Sequence, residues 1–389
     1  MYRSSYSLFI SKWLIDTNYL FLNHGSFGAC PTFILNKQND YRAMLEQQAL
    51  KFMVRQLPEL LHNSKQKLAE FTGSDNSNIV FVRNATSGVN TVLNSYEFNP
   101  DDEVIITNHI YPACRNAVNF YSEKKGFKVK EAIIPFPVEN EQMVIDKIAE
   151  QISTKTKLIL IDHITSPTGL LFPLEKIINE FQHDKIDCLI DGAHAPGNTP
   201  LNLEKLGAAY YTGNCHKWIC SPKGSAFLYV RPDKQESIHP QVISLTEGKN
   251  KTFEERFYWT GTEDPTPYIC VGDAIDYMGK LLSGGWEELM NHNHNLAIEA
   301  MNYLCNALTT PLPCPESMIA NLVSLPLPDT GSPAPLKFNQ LDELQERLFH
   351  EYKIELFVTY WPQHPKRLFR ISPQIYNTLD QYKMLAERI

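Results

Sequence analysis

The 389-residue chain carries 36 Lys and Arg against 44 Asp and Glu, a formal net charge of −8 at pH 7. This balance disfavours a nucleic-acid partner, because neutralising phosphates requires a basic stripe that the chain lacks. No apolar run approaches the roughly 20 residues that span a bilayer, and a signal-peptide core does not form near the N-terminus. The eight cysteines include no CxxC pair, so we expect free thiols, no metal site and a cytoplasmic protein without membrane contact.

Apolar, strand-like runs alternate with helix-like stretches through the first 230 residues, and this alternation predicts a doubly wound α/β sheet. In open sheets of this kind, ligands bind outside the carboxyl ends of the strands. We therefore expect the functional site there. The predicted strands cover residues 79–82, 104–107, 158–162, 188–191, 208–212 and 226–230, and the predicted helices 87–95, 111–124, 143–151 and 174–181.

The pattern changes after Val230. Residues 257–267 are aromatic and turn-rich, which predicts a loop, and helical periodicity follows over 274–282 and 286–308. We expect a large domain over residues 20–275 and a smaller α+β domain over residues 276–389, with residues 1–19 packed on it. The Pro-rich stretch 326–337 is typical of a surface loop.

Lys217 comes just after a strand-like run, and Asp191 ends another. A surface loop is the usual place for a lysine, but a desolvated lysine amine is a nucleophile toward carbonyls. A buried carboxylate can keep a pyridine nitrogen protonated, which pyridoxal 5′-phosphate (PLP) needs to withdraw electrons. His194 lies close enough in sequence to contact the same ring, although a capping Asp with a packed His would give the same pattern.

Residues 83–89 (RNATSGV) lie between a strand and a helix. Small residues, hydroxyls and unpaired N–H groups at a helix N-terminus can bind a phosphate. The same residues are also those of an ordinary N-cap, so this segment indicates a phosphate site only together with Lys217 and Asp191.

Eight segments in register resemble the class V aminotransferase family of fold-type I PLP enzymes, and within it the isopenicillin N epimerase-like branch. The resemblance implies an α/β fold, with a mostly parallel seven-stranded sheet between helices and a smaller α+β domain. The segments are residues 21–31 (FLNHGSFGACP), 84–88 (NATSG), 108–113 (NHIYPA), 162–169 (DHITSPTG), 191–197 (DGAHAPG), 216–218 (HKW), 259–265 (WTGTEDP) and 369–377 (FRISPQIYN).

The resemblance also implies how PLP is held. Lys217 would bond covalently to the cofactor and Asp191 would pair with its pyridinium nitrogen. Tyr111 would stack on the ring and relay a proton, unless it is only a core tyrosine. The other implied cofactor contacts are Ala85, Thr86, Asn214 and His216 at the phosphate, Ser166 and His194 near the ring hydroxyl, and Gly261 and Thr262 at the phosphate of the neighbouring subunit in a homodimer.

For the substrate, the resemblance implies that Arg370 binds the α-carboxylate of an amino acid, since a guanidinium matches a carboxylate with two parallel hydrogen bonds. A surface arginine is the plain alternative. Asn23 and His24 would line the mouth of the substrate site, or belong to a structural turn.

PLP chemistry leaves the reaction open, because the protein decides where protons go. Cysteine desulfurases need a nucleophilic cysteine shortly before the carboxylate-binding arginine, and residues 338–369 contain none. Persulfide-forming desulfuration is therefore disfavoured. The residues do not separate the remaining reactions, and the resemblance to the isopenicillin N epimerase-like branch implies an epimerase or racemase acting on an amino acid or an amino-acid-containing peptide. The alternatives are a C–S β-lyase of a cysteine conjugate, a class V aminotransferase, and a non-enzymatic scaffold that keeps the fold.

Overall fold

The computed structural model describes residues 2–183, 185–248, 250–332, 334–337 and 340–389. Short 3-10 turns and one π-helical turn, Phe52–Gln56, occur between the main elements. The strands of the described residues are β1 (Leu20–Phe21), β2 (Ile79–Val82), β3 (Glu103–Thr107), β4 (Lys128–Ala132), β5 (Thr156–Asp162), β6 (Asp187–Asp191), β7 (Tyr210–Asn214), β8 (Ala226–Val230), β9 (Val323–Leu327), β10 (Ile354–Glu355), β11 (Phe357–Tyr360) and β12 (Arg367–Ile371).

The helices lie mostly between the strands of the first 230 residues and again after β8. Their bounds are α1 (His24–Phe27), α2 (Thr32–Gln47), α3 (Ala49–Lys51), α4 (Leu57–Thr72), α5 (Ala85–Ser95), α6 (Pro112–Lys125), α7 (Glu141–Ala149), α8 (Leu174–Phe181), α9 (Leu203–Leu206), α10 (Phe253–Tyr258), α11 (Thr266–Met278), α12 (Gly285–Leu308), α13 (Glu343–Tyr352) and α14 (Leu379–Ala386).

Seven strands form the central sheet in the order β2-β8-β7-β6-β5-β3-β4. The pairs from β7 through β6, β5 and β3 to β4 are parallel, and β8 runs antiparallel to both of its neighbours. This mostly parallel seven-stranded sheet confirms the predicted fold class. Parallel strands are joined by helical crossovers, so their carboxyl ends collect at one edge.

Helices cover both faces of the sheet, and the strand sequences show why. Successive side chains of a strand point to opposite faces. On β5, Leu158 and Leu160 pack into the core beneath α5 and α6, whereas Ile159 and Ile161 pack into the core beneath α7 and α8. Strands apolar on both sides are typical of a sheet sandwiched between helices.

The C-terminal part contains an antiparallel sheet in the order β11-β12-β9 and a parallel pair of β1 with β10. In that pair, Leu20 lies beside Ile354, so the N-terminal segment is held by the C-terminal part of the chain. The domain division remains a prediction, and its boundary at residues 275–276 falls inside α11.

Two local predictions need correction. Sequence reasoning missed β4, because Lys and Glu interrupt its apolar residues and its side chains are mostly partly exposed, as at a sheet edge. The segment predicted as a loop over 257–267 begins in α10 and ends in α11. Part of the predicted surface loop 326–337 lies outside the described residues, since Pro333 is not described.

In the part of the chain that the structure describes, no helix is long and apolar enough to cross a membrane. Within those same residues, no three His, Cys, Asp or Glu side chains are grouped to hold a metal ion. All eight cysteines are buried free thiols.

Helix α5 can approach the sheet closely only because position 88 is a glycine. A Cβ at Gly88 would lie 2.2 Å from Oγ1 of Thr212, which is pinned because it donates to the carbonyl oxygen of Phe227. We expect Gly88→Ala to lower the free energy of unfolding by about 1–3 kcal/mol through overpacking, despite the higher helix propensity of alanine.

The measurement is urea and thermal unfolding of Gly88→Ala beside Gly331→Ala. No atom lies within 4 Å of a Cβ at Gly331, so this control should unfold like the wild type. Equal unfolding midpoints for the two variants would show that the packing of α5 against the sheet does not require glycine at position 88.

Candidate active site

A cavity of about 1010 Å³ opens at the carboxyl ends of the parallel strands. It brings together nine of the residues predicted for the site and others that sequence reasoning did not assign to it. The predicted residues in its wall are Ala85, Thr86, Tyr111, Ser166, Asp191, His194, Asn214, His216 and Lys217, and Asp162 and Phe27 are among the others.

Two carboxyl groups stand side by side in this wall. Asp162 ends β5 and Asp191 ends β6, and the two are partners in the parallel register of these strands. Both side chains are buried. The register alone therefore places two acidic groups next to each other at the base of the cavity.

Asp191 is held by two donors. Its Oδ1 accepts the backbone N–H of Ala193 at 3.0 Å, and its Oδ2 accepts the thiol of Cys114 at 3.1 Å. Burial raises the pKa of Asp191, an effect that these hydrogen bonds and the nearby charge of Lys217 partly offset. A cation bound against this carboxylate would therefore gain from pairing with it. Cys114 carries no sequence signal for this contact, because only the tertiary structure brings α6 over β6.

Asp162 is the more deeply affected of the pair. Burial and the adjacent Asp191 raise its pKa well above the usual range. Its Oδ2 has no hydrogen-bond partner among the described residues. Buried polar atoms are seldom left unpaired, and one in a cavity wall indicates a ligand.

Lys217 follows β7, and its Nζ lies 3.0 Å from Nε2 of His194. Burial, and then the positive charge of Arg370, lower the pKa of Lys217 to about 7. A substantial fraction of the amine is therefore unprotonated at neutral pH. Burial holds the pKa of His194 well below its ordinary value, so the imidazole is neutral and accepts from Lys217. Its buried Nδ1 has no partner among the described residues.

The N-terminus of helix α5 lies in the wall of the cavity and is capped by a side chain. Asn84 accepts the N–H of Ser87 at 2.8 Å, and the N–H of Ala85 donates to Oδ1 of Asn214 at 2.9 Å. The Ala85 amide is thus engaged within the protein, and its contact with a phosphate remains a prediction. Thr86 is the residue of this first turn whose N–H and hydroxyl would serve a phosphate.

His216 also lies at this end of the cavity. Its Nδ1 donates to the carbonyl oxygen of Ser225 at 3.1 Å, which leaves Nε2 as the ring atom for a ligand. Burial lowers the pKa of His216 to about 4, so the ring is neutral until an anion is bound beside it.

Arg370 lies on β12 and is only 1% exposed. Its Nη1 donates to the carbonyl oxygen of Ser166 at 2.5 Å, and its Nη2 donates to Oγ of Ser26 at 3.0 Å. Burial lowers its pKa to about 10, which still leaves it charged at neutral pH. The guanidinium lies behind Ser26 and Ser166, which are themselves in the cavity wall.

The side chains of Asn23 and His24, predicted for the substrate mouth, do not lie in the wall of this cavity. His24 is buried behind the Lys217 loop, where Nδ1 accepts the hydroxyl of Tyr376 at 2.7 Å and Nε2 donates to the carbonyl oxygen of Lys217 at 2.9 Å. Asn23 is also buried and contacts Ser26. These side chains support the wall from behind, and Ser26 and Phe27 form it.

Gly261 and Thr262 are exposed and lie outside the wall of the Lys217 cavity. Gly261 lines a neighbouring groove that shares Arg83 and Glu263 with the cavity. A contact with the phosphate of another subunit therefore remains a prediction.

These groups fit PLP. An amine of lowered pKa, a buried carboxylate and the N-terminus of α5 match its aldehyde, its pyridinium nitrogen and its phosphate. Asp162 Oδ2 and His194 Nδ1 are buried polar atoms without partners among the described residues, and a polar ring in the cavity would supply them.

Comparison with known proteins agrees with this geometry. The sequence model of the family described as Aminotransferase class-V matches residues 30–331. The chain therefore belongs to the class V aminotransferase family, and it is a PLP-dependent enzyme. This confirms the predicted family, enzyme class and cofactor.

Several characterised or named proteins are similar over most of the chain. The probable chloroplastic L-cysteine desulfhydrase of Arabidopsis thaliana is 26% identical, over 96% of this chain and 83% of its own length. The isopenicillin N epimerase of Streptomyces clavuligerus is 27% identical, over 97% and 96%. The hercynylcysteine sulfoxide lyase of Schizosaccharomyces pombe is 29% identical, over 79% and 80%.

Solved structures share the fold. A lysine-to-alanine variant of C-DES, with glycine covalently linked to its PLP cofactor, superposes with a TM-score of 0.80 at 21% identity and covers 97% of this chain and 98% of that one. A complex between the cystine C–S lyase C-DES and cysteine persulfide also gives a TM-score of 0.80 at 21% identity, over 95% and 97%.

The lowered pKa of Lys217 gives a testable pH dependence. The amine is protonated below a pH of about 7 and free above it. We expect covalent capture of PLP by the apoprotein to accelerate as the pH rises through about 7 and then to level off. Exposed lysines, with a pKa of about 10.4, accelerate through a much higher range.

Stopped-flow absorbance of apoprotein mixed with PLP, with a free lysine peptide as the reference, measures this profile. Removing the positive charge in Arg370→Gln should move the midpoint upward. A midpoint near that of the peptide would contradict the buried environment assigned to Lys217.

Proposed function

We propose that this enzyme is a C–S β-lyase that acts on L-cysteine or an S-substituted cysteine. The observation that carries this proposal is which side chains of the cavity can accept a proton and which can donate one. Lys217 is the base, and Tyr111 is a proton-carrying side chain in the wall of the cavity. Burial, then the neighbouring Cys114 and Asp191, raise the pKa of Tyr111, so the phenol keeps its proton at neutral pH and has one to give to a leaving group.

The histidines offer no second base. His24 is bonded to Tyr376 and the backbone of Lys217, His194 contacts Lys217 itself, and His216 is bonded to Ser225. Epimerisation in both directions needs two groups that each accept and donate a proton at Cα. A β-elimination needs one base and one donor, which is what this wall contains.

When bound, PLP acidifies the Cα–H bond of the amino acid and accepts the electrons released there. Lys217 takes the Cα proton. Tyr111, 40% exposed in the wall, gives its proton to the sulfur as the Cβ–S bond breaks. Arg370 holds the α-carboxylate, and water then completes the conversion of the remaining fragment to pyruvate and ammonia.

The names of several relatives support a reaction at sulfur. L-cysteine desulfhydrase, hercynylcysteine sulfoxide lyase and cystine C–S lyase all denote proteins acting on a cysteine sulfur. The likeness to isopenicillin N epimerase supports epimerisation as the second candidate, with Tyr111 returning a proton to Cα.

The cofactor contacts belong to the same proposal. Lys217 and Asp191 hold PLP at its carbon and its nitrogen, and Thr86 and His216 hold the phosphate while Asn214 orients the turn. Ser166 and His194 lie near the ring hydroxyl. Gly261 and Thr262 of a second subunit reach the phosphate, so the working unit is a homodimer. Analytical ultracentrifugation of the holoenzyme tests the dimer.

The decisive experiment incubates the purified holoenzyme with L-cysteine, cystine, S-substituted cysteines and D- and L-amino acids. We expect pyruvate, ammonia and a thiol from a cysteine substrate in equal amounts. We expect Tyr111→Phe to lower kcat by about 10²–10⁴-fold, the usual contribution of a general acid, with little change in PLP absorbance. Tyr303→Phe, on the exposed side of α12, is the matched control and should leave kcat unchanged.

Chirality and deuterium uptake are followed in the same samples in D₂O. Formation of racemised amino acid without pyruvate would show that the enzyme is an epimerase and not a lyase. Full lyase activity in Tyr111→Phe would overturn the role of Tyr111 as donor to sulfur.

A further inference from the structure

We propose that Ser26 is a positioning residue for Arg370, and that it sets which edge of the guanidinium meets the substrate carboxylate. This inference rests on the proposed function, in which Arg370 binds the α-carboxylate. Ser26 lies on α1, far from Arg370 in sequence, and its hydroxyl is within hydrogen-bond distance of the guanidinium.

The hydrogen bonds of Arg370 leave its Nε–H available to a ligand. A guanidinium has five N–H donors in one plane. Nη1 donates to the carbonyl oxygen of Ser166 at 2.5 Å and lies 3.2 Å from its hydroxyl, and Nη2 donates to Oγ of Ser26 at 3.0 Å. Nε is buried and without a partner among the described residues. Nε–H lies on the same edge of the guanidinium as one N–H of Nη2, and a carboxylate can accept from such an edge.

The burial of Arg370 makes its unpaired Nε–H a strong indication of a bound acceptor. Arg370 is 1% exposed, so water cannot freely serve the unpaired donor. An unpaired buried N–H is unfavourable, and a carboxylate that accepts from it relieves that cost. The aromatic ring of Phe357 lies 4.4 Å from the guanidinium and fixes its plane.

The hydrogen bond to Asn23 determines whether the hydroxyl of Ser26 donates or accepts toward Arg370. The hydroxyl of Ser26 donates its single proton to Oδ1 of Asn23 at 2.6 Å. The oxygen lone pairs of Ser26 are then directed to Nη2 of Arg370. Ser26 is therefore an acceptor that orients the guanidinium, and it has no proton left to donate to a carboxylate.

The position of Ser26 is itself fixed by β12. The N–H of Gly25 donates to Oγ of Ser372 at 2.9 Å, and Asn23 forms a backbone bridge with Ser372. Helix α1 is therefore held against the end of the strand that carries Arg370. This fixes the position of Ser26, in the cavity wall, relative to the buried guanidinium of Arg370.

The first test is Ser26→Ala in the holoenzyme. Loss of a hydrogen bond to a charged group predicts a KM for the amino-acid substrate about tenfold higher, with kcat changed less than about twofold. The KM for the methyl ester of the same substrate should not change, because the ester lacks the carboxylate. Ser26→Thr, which keeps the hydroxyl, should restore the wild-type KM. Ser11→Ala, an exposed serine near the N-terminus, is the control.

Propionate, a carboxylate without an amino group, serves as an inert competitive inhibitor. Its inhibition constant should rise about tenfold in Ser26→Ala, and less in Asn23→Ala, where the Ser26 hydroxyl is freed to rotate. Thermal unfolding and PLP absorbance of each variant show whether the fold and cofactor are intact.

Arg370→Gln separates the two proposals. If propionate inhibition weakens in Arg370→Gln but not in Ser26→Ala or Asn23→Ala, the positioning role of Ser26 is overturned and the carboxylate role of Arg370 stands. If Arg370→Gln leaves propionate inhibition unchanged, the carboxylate role fails and the inference fails with it. A fall in kcat at constant KM in Ser26→Ala would also overturn the inference.

Discussion

The parallel register of β5 with β6 is the constraint on which the site depends. It fixes Asp162 and Asp191 as neighbours in a buried wall, and two adjacent carboxyl groups cannot both be ionised there without a compensating cation. Burial and mutual repulsion favour a proton on one of them and a positive partner for the other. The cavity is thus matched to a protonated heterocycle before the contacts of any helix or loop are considered.

Local sequence signals recovered much of this arrangement. The bounds of β2 and β8 agree with the apolar runs that predicted them, and Asp191 and Lys217 stood out because polar residues directly followed such runs. Signals of this kind are short-range, and they identify an element and the residue that ends it. They also fail where the pattern is weak, as in β4, whose charged residues conceal a strand at the edge of the sheet.

The missed parts of the site are contacts between distant segments. Ser26 and Arg370 are 344 residues apart, and His24 meets the carbonyl of Lys217 across 193 residues. No periodicity of the chain encodes such pairs. The resemblance indicated that residues 23–26 belong near the substrate, but only the packing of α1 against β12 shows that Asn23 and His24 face away from the cavity. Gly28, just after α1, packs closely against the Lys217 loop, since at φ 68° a Cβ there would lie 2.1 Å from the carbonyl oxygen of His216.

The tie between the two ends of the chain also concerns how the enzyme is made. The strands of the large sheet can pair once residue 230 has left the ribosome, since domains generally fold from the N-terminal side during synthesis. The segment that carries Ser26 is synthesised before them, yet its partners in and next to β10 and β12 are translated after the whole sheet. A nascent chain with the sheet complete can therefore still have an open pocket, and the pocket acquires this wall only once β10 and β12 have been synthesised.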